Sequence, residues 1–481
     1  MAATQLVETV TGDTMAALLA ARDAAMGVDM VELRLDGVTD LDVGAALRGR
    51  RLPVIATCRP AWEGGRFAGA EEERRRVLLQ ALSAGAEFVD VEWRAGFSDV
   101  IAADPARIVL SSHDFEGMPD DLPGRARAMR QSGAAVIKIA VRAARLRDAI
   151  PLLEIARGGN AVVIAMGDAG VSSRLLASRF GSRWTYAGNA VAPGQISSAR
   201  MTREFRFNAI GPETVVYGLV GAHATSSRSP AMHNAAFEAS GLDAVYVPLV
   251  PDDFDDVLVF ADALGVRGVS VTIPFKLDAL RAARRSDELT RLVGAANTLR
   301  RSGPGAGGEW EATNTDVEGF LAPLEKVYPG SLRDVRAAIL GAGGASRAVA
   351  VALRTRGALV SVHARRGDQA AQVAAACGGH VGAWPPARGS WDLLVNCTPL
   401  GGVSARDLSP LPGGPFDGRV VYDLTYGVSE SPLLREARVA GCLTLDGLPM
   451  LVAQAERQFE WWTGQRPAAG VMEEAAGRPC V

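Results

Sequence analysis

Short apolar runs recur along the first 210 or so residues, each followed by a stretch in which apolar positions return every three or four residues. The runs are LVETVT, DMVELRLD, PVIATCR, EFVDVEW, RIVLSSHD, AVIKIAV, AVVIAMG and RWTYAGN. Their length and aliphatic content predict strands, several of them buried on both faces. Between them, EEERRRVLLQALSAG and LPGRARAMRQSG have helical spacing. Eight strands alternating with helices over about 200 residues predict a (β/α)8 barrel; a doubly wound open sheet is the alternative on this pattern alone.

The pattern breaks near FNAIGPET, and a second α/β region opens at VVYGLVGAHA. Inside it, the Gly/Pro-rich RSGPGAGGEW predicts a hairpin or loop. A third unit begins RDVRAAILGAGGASRAVAVALRTRGALVSVHARR, which reads strand, glycine turn, helix, strand. The tail from about residue 428 reads as helical, and MLVAQAERQFEWW is spaced as an amphipathic helix.

Composition narrows the classes. A hydrophobic fraction of 48% and a charged fraction of 22% are those of an ordinary globular chain of 481 residues, long enough for two or three domains. A net charge of −3 carries no nucleic-acid footprint. Cys58, Cys377, Cys397, Cys442 and Cys480 are scattered, odd in number and without a CxxC pair. That spacing argues against a disulfide framework and a metal site, and for a reducing compartment. No apolar run reaches the ~18 residues of a membrane span, and MAATQLVETVTGDT lacks the features of a signal peptide. The expected location is cytoplasmic.

The sixth run, AVIKIAV, places Lys138 among aliphatic side chains. Burial there costs desolvation and drives an amine toward its neutral form. Two uses fit: pairing with a buried carboxylate, or a neutral amine that attacks a carbonyl to form a Schiff base. Other polar groups stand at or after strand ends, where barrels keep their chemistry. Glu32 and Arg34 are two apart and share a face; Arg59 and Glu63 follow the third strand; His113 ends the fifth; Arg174 and Gln195 follow the last two. Singly, each has an ordinary structural explanation. Together they supply a proton shuttle in His113 and cationic clamps for an anionic ligand.

ELRLD, TCRPAWEGG, SSHDF, IKIA, the Ser-Arg pair after a Met-Gly turn, and APGQI resemble the type I 3-dehydroquinate dehydratases, over the whole of the first 200 residues. The resemblance implies an imine between Lys138 and the C3 ketone of 3-dehydroquinate. His113 would be general base and acid for syn-elimination of water, with Glu63 holding the imidazole. It also implies substrate contacts from Glu32, Arg34, Arg59, Arg174 and Gln195, with Arg174 on the carboxylate. One departure is Val191, where similar enzymes have Ser before APGQ.

In the second half, SSRSPAMHN offers hydroxyls and backbone N–H groups at a helix start, which suit a carboxylate or serve as a plain cap. VSVTIPFK carries Thr272 and Lys276, with Pro274 turning the chain out of its sheet, and ATNTD carries Asn314 and Asp316. A Lys and an Asp converging on a hydroxyl can shuttle its proton during hydride transfer. The glycine turn GAGGAS runs from Gly341 to Ser346, and the next strand leads to Arg365 and Arg366. Cations there suit the 2′-phosphate of NADP, where an NAD site would want an acid.

With VNCTPLGG and DGLPMLVAQA, these motifs resemble shikimate dehydrogenase from about residue 214 to 470. The resemblance implies carboxylate binding by Ser227 and Ser229, and ring-hydroxyl contacts from Thr272, Asn297, Asp316 and Gln454, with Tyr426 nearby. Lys276 and Asp316 would be the catalytic pair. Gly341, Ala342, Gly343, Gly344, Ala345, Thr398, Arg365 and Arg366 would hold NADP. The implied layout is a barrel over 1–209, a substrate domain over 213–325 completed by helices at about 447–475, and a Rossmann domain over 330–446. The expected protein is bifunctional. It would dehydrate 3-dehydroquinate and reduce the resulting 3-dehydroshikimate to shikimate, taking small molecules rather than nucleic acid or membrane as partners. A quinate/shikimate dehydrogenase with a substrate-sensing barrel is the rival reading.

Overall fold

The computed structural model describes residues 4–188, 193–303, 308–402, 405–427 and 429–477; Val191 lies outside them. Eight parallel strands form the first sheet: β1 (Gln5–Val10), β2 (Met30–Arg34), β3 (Val54–Thr57), β4 (Phe88–Glu92), β5 (Ile108–Asp114), β6 (Val136–Arg142), β7 (Ala161–Met166) and β8 (Trp184–Ala187). Their order is β7-β6-β5-β4-β3-β2-β1-β8, so consecutive strands are neighbours and the sheet curls into the expected barrel. At the β7–β8 seam the Ser182 hydroxyl accepts from Val163 N at 3.1 Å, and Arg183 N donates to the Ala161 carbonyl at 2.9 Å.

Strand alternation explains how an apolar run can carry an ionic centre. Successive side chains point to opposite faces. Ile137, Ile139 and Val141 therefore join the core beneath the helices, while Val136, Lys138 and Ala140 face the barrel axis. The same split sends Val31 and Leu33 outward, and Met30 and Glu32 inward. Apolar residues such as Val7, Met30, Ile55, Val109 and Trp184 fill the axis. Above them sits a layer of polar and charged side chains.

The second sheet has order β10-β9-β11-β13-β14-β12, with β9 (Val215–Val220), β10 (Ala244–Leu249), β11 (Val266–Val271), β12 (Arg285–Ser286), β13 (Thr298–Arg301) and β14 (Trp310–Thr313). β13 and β14 are antiparallel, which is the hairpin expected around RSGPGAGGEW. The third sheet is parallel throughout, in order β17-β16-β15-β18-β19-β20: β15 (Arg336–Leu340), β16 (Leu359–His363), β17 (His380–Val381), β18 (Leu393–Asn396), β19 (Val420–Asp423) and β20 (Leu443–Leu445). Counted from its first strand, this is the 3-2-1-4-5-6 order of a dinucleotide-binding sheet.

The tail departs from expectation in one place. Between the helices Pro432–Val439 and Leu448–Thr463 it contributes β20 to the sheet edge. Three residues are too few to show a two-residue period, so neighbouring helical spacing masks them. The barrel and second sheet share one continuous apolar core. Asp256, fully buried, accepts from the backbone N–H groups of Leu146 and Arg147 at 2.8 Å each and from Arg147 Nε at 3.0 Å, tying the loop after β6 to the helix Phe254–Leu264.

Candidate active sites

The barrel holds a cavity of about 80 Å³ at the C-terminal ends of its strands. Lys138 Nζ lies there, 3.3 Å from Glu32 Oε1 and 3.1 Å from Asp90 Oδ2. Thr9 and Thr57 donate to Glu32 at 2.9 and 3.0 Å; Arg59 and Ser111 donate to Asp90 at 2.9 and 2.5 Å. Burial alone would lower the Lys138 pKa, but Glu32, Tyr186 and Asp90 outweigh it and raise it. Conversely, burial would raise Asp90, and Arg59 and Lys138 hold it well below the carboxylate range. Of the two uses the sequence left open, the resting site shows the carboxylate pairing, which favours the ammonium form. Spacing along β6 could not reveal the carboxylates that β2 and β4 bring to face it.

His113 is poised differently. Glu63 Oε1 accepts from its backbone N–H and lies 2.9 Å from its Nδ1. Burial, reinforced by Arg59 and Lys138, lowers the imidazole well below its usual range, so it is neutral. Because Glu63 Oε1 takes both donors, the proton sits on Nδ1 and the Nε2 lone pair is left to act. Burial raises Glu63 to about 7 against the pull of Arg59. The turn that carries Glu63 needs its glycine: Gly64 has φ 76°, and a Cβ there would come within 2.7 Å of the Phe115 ring.

Three arginines line this cavity, and they are not equivalent. Arg34 binds Asp36 through two nitrogens at 2.9 and 2.8 Å. Arg59 is held by Asp90 at 2.9 Å, Glu92 at 2.7 Å and Ser111 at 2.8 Å. Among the described residues Arg174 donates only to the Pro193 carbonyl, at 3.2 Å, its buried Nε has no partner, and no carboxylate pairs with it. Burial lowers it to about 10. A carboxylate is the ligand this cation lacks. Gln195 closes the same wall.

A second cavity of about 450 Å³ lies between the second and third sheets, lined by Ser227, Ser229, Thr272, Lys276, Asn297, Asp316, Tyr426 and Gln454 at one end and by Ala345, Pro399 and Gly402 at the other. Lys276 Nζ donates to Asp316 Oδ2 at 2.5 Å. Asn297 Nδ2 donates to the other oxygen at 2.7 Å and reaches Gln454 Oε1 at 3.5 Å. Asn314 Oδ1 accepts from Asp316 N at 3.0 Å, which fixes the start of the helix Asp316–Val327. At the far wall, Ser227 Oγ accepts from Ser229 N at 3.1 Å, at the start of the helix Ser229–Ala239. A third cavity of about 450 Å³ shares Gln195 with the barrel site and Ser226 with this cleft.

The glycine turn fits a dinucleotide. Gly341 has φ 103°, and a Cβ there would press on Thr398 and Cys397. A Cβ at Gly343 would meet nothing within 4 Å, leaving its backbone open to a phosphate at the head of the helix Gly344–Thr355. Ser346 accepts from Gly343 N at 3.2 Å and so braces the turn. A Cβ at Gly344 would lie 3.1 Å from Lys276 Cδ, so turn and Lys276 are in contact range. Arg365 and Arg366 are exposed beyond β16.

Comparison with known proteins yields matches to three families: type I 3-dehydroquinase over residues 7–211, the shikimate dehydrogenase substrate binding domain over 219–299, and the shikimate 5'-dehydrogenase C-terminal domain over 447–476. A bifunctional 3-dehydroquinate dehydratase/shikimate dehydrogenase from Arabidopsis thaliana, described as chloroplastic, is 32% identical over 475 residues, covering 91% of this chain and 78% of its own. The chain belongs to this bifunctional family. Its second half is also 38% identical over 272 residues to an NADP(+) shikimate dehydrogenase from Archaeoglobus fulgidus, covering 54% of this chain and 97% of that protein. Among solved structures, the Aquifex aeolicus shikimate dehydrogenase covers 56% of this chain and 100% of its own, at 31% identity and a TM-score of 0.51. The two halves are thus a type I dehydroquinase and an NADP-dependent shikimate dehydrogenase, acting on small molecules.

The barrel cavity gathers Glu32, Arg34, Arg59, Glu63, His113, Lys138, Arg174 and Gln195. The cleft gathers Ser227, Ser229, Thr272, Lys276, Asn297, Asp316, Tyr426, Gln454 and Ala345. Asp90, Glu92 and Tyr186 were not legible as site residues. Asp90 and Glu92 sit in FVDVE, where two acids in an apolar run gave an alternation signal that could have been followed. Tyr186 looked like any aromatic of a buried strand.

Proposed function

We propose that the barrel cavity and the cleft between the second and third sheets each carry one of two consecutive reactions. In the first, Lys138 Nζ passes a proton to a facing carboxylate, attacks the C3 ketone of 3-dehydroquinate, and loses water to give an iminium. His113 Nε2 takes a proton from the carbon beside the iminium and returns it to the departing hydroxyl; Glu63 stabilises the imidazolium in between. Hydrolysis then frees Lys138 and 3-dehydroshikimate. Arg174 binds the substrate carboxylate, while Glu32, Arg34, Arg59 and Gln195 frame the rest. The observation that carries this reading is the Lys138 nitrogen enclosed by two anchored carboxylates, in one cavity with an imidazole whose Nδ1 is held by Glu63.

In the cleft, Ser227 and Ser229 take the carboxylate, and Thr272, Asn297, Gln454 and Tyr426 surround the ring. Lys276 and Asp316 deliver the proton to the carbonyl oxygen, with Asn297 holding the second Asp316 oxygen. Bound NADPH supplies the hydride. Gly341, Ala342, Gly343, Gly344, Ala345 and Thr398 would form its phosphate cradle, and Arg365 and Arg366 would meet its 2′-phosphate. The corresponding units are 1–209, 213–325 with the helices at about 447–475, and 330–446. A purely sensing barrel would need neither Lys138 nor an oriented His113. Free Cys58, Cys377, Cys397 and Cys442 fit a reducing cytoplasm, and no helix of the described residues is long and apolar enough to cross a membrane.

The test is covalent. Incubating the protein with 3-dehydroquinate and borohydride, then mapping peptides by mass spectrometry, should find the reduced adduct on Lys138. An adduct on another lysine, or none on active protein, would refute the assignment.

A further inference from the structure

We propose that Tyr186 is a catalytic residue of the dehydratase half, its ring face holding the positive charge on the Lys138 nitrogen after the amine has condensed with substrate. This rests on the Schiff-base reading above. Tyr186 is 2% exposed and lines the barrel cavity. Lys138 Nζ stands over its ring, 4.2 Å from the centroid. That is well within the distance at which an aromatic face attracts a cation.

Condensation changes what the nitrogen can bond. As an ammonium, Lys138 has three N–H donors and can satisfy Glu32 and Asp90 together. An iminium nitrogen keeps the charge and one N–H, so it cannot bond both carboxylates as before. Attraction to a ring face needs charge and no donor. Of the three groups around Nζ, the ring is therefore the one whose hold survives the step unchanged. The phenol oxygen is buried beside the Trp184 side chain, and among the described residues neither it nor the indole nitrogen makes a hydrogen bond of good geometry, so the ring is held by packing more than by its hydroxyl. The face is the working part, and phenylalanine should serve as well.

Fluorination tests this without disturbing shape. Phenylalanines carrying one, two and three ring fluorines are incorporated at position 186 of the full chain, alongside Tyr186→Phe. Each fluorine withdraws density from the ring face. Tyr186→Phe should keep the dehydration kcat within about twofold. The series should lower it stepwise, by roughly 5- to 30-fold overall, as expected for loss of a desolvated cation–π contact. Reduction of added 3-dehydroshikimate by the other half should stay constant and reports folding. A flat series, or Tyr186→Phe as impaired as the trifluorinated form, would overturn the role of the ring. Borohydride mapping of the parent protein separates the two readings. No Lys138 adduct defeats the Schiff base itself, whereas an adduct with a flat series defeats only the role of Tyr186.

Discussion

Replacing Arg174 with Met should stabilise the ligand-free protein and cripple its grip on substrate. The guanidinium is 2% exposed, and among the described residues it has one carbonyl contact and pairs with no carboxylate. Burial pulls it from 12.5 to about 10. At 1.36 kcal/mol per pH unit, holding that charge costs the resting barrel about 3 kcal/mol. Relaxation and water entry shrink this, so Arg174→Met, with an unbranched apolar chain, should recover about 1–3 kcal/mol. A domain of this size gains about 2–4 °C per kcal/mol, so calorimetry should show the barrel's transition rise by a few degrees. Meanwhile, losing one partner of a buried charge pair costs about 2–5 kcal/mol, so the KM for 3-dehydroquinate, followed by enone absorbance, should rise roughly 30-fold or more. A variant with a lower melting point and an unchanged KM would refute the assignment of Arg174 to the substrate carboxylate.

Other consequences follow from the same geometry. Specificity should favour NADPH over NADH because Arg365 and Arg366 follow β16; replacing both with Ser should erode the preference, and equal kcat/KM values in the parent protein would count against it. Dehydration should fall as pH drops through about 7, because Glu63 then takes up a proton and no longer supports the imidazolium. His113, lowered by burial, stays neutral through that range, so Glu63→Gln should flatten this limb while lowering the plateau; persistence of the limb would assign it elsewhere. Asp256→Ala strands two backbone N–H groups at the joint between the barrel and the second sheet. It should destabilise the protein by about 2–4 kcal/mol in urea titration, and an unchanged midpoint would show that the joint is slack.

Which parts of this were legible in the sequence follows from the range of the signals. Each of the eight strand runs of the barrel covers an observed strand to within a residue at its ends, because burial on two faces leaves a continuous apolar mark. The nucleotide unit was readable from GAGGAS, since glycine is demanded wherever backbone must come close. Lys138, His113 and Glu63 were visible as strand-end chemistry, and the structure brings them into one cavity. What escaped was pairing between strands. Whether Lys138 rests charged depends on Glu32 and Asp90, 106 and 48 residues away. The same holds for the difference between Arg59, already engaged, and Arg174, still lacking a carboxylate. Linear patterning flags the acids of FVDVE but not what they face, because pairing is decided by which side chains the barrel closes around.

That two chemistries occupy two independent sites is tested most directly by Lys276→Ala supplied with 3-dehydroquinate and NADPH. Loss of a general acid–base group typically costs ~10²–10⁴-fold, so NADPH consumption should nearly stop while dehydration runs on. The enone of 3-dehydroshikimate should accumulate at the rate of the parent protein, and adding a Lys138→Ala chain should convert it to shikimate. If Lys276→Ala, still folded, lost both activities, the two reactions would share a site, contradicting two independent ones.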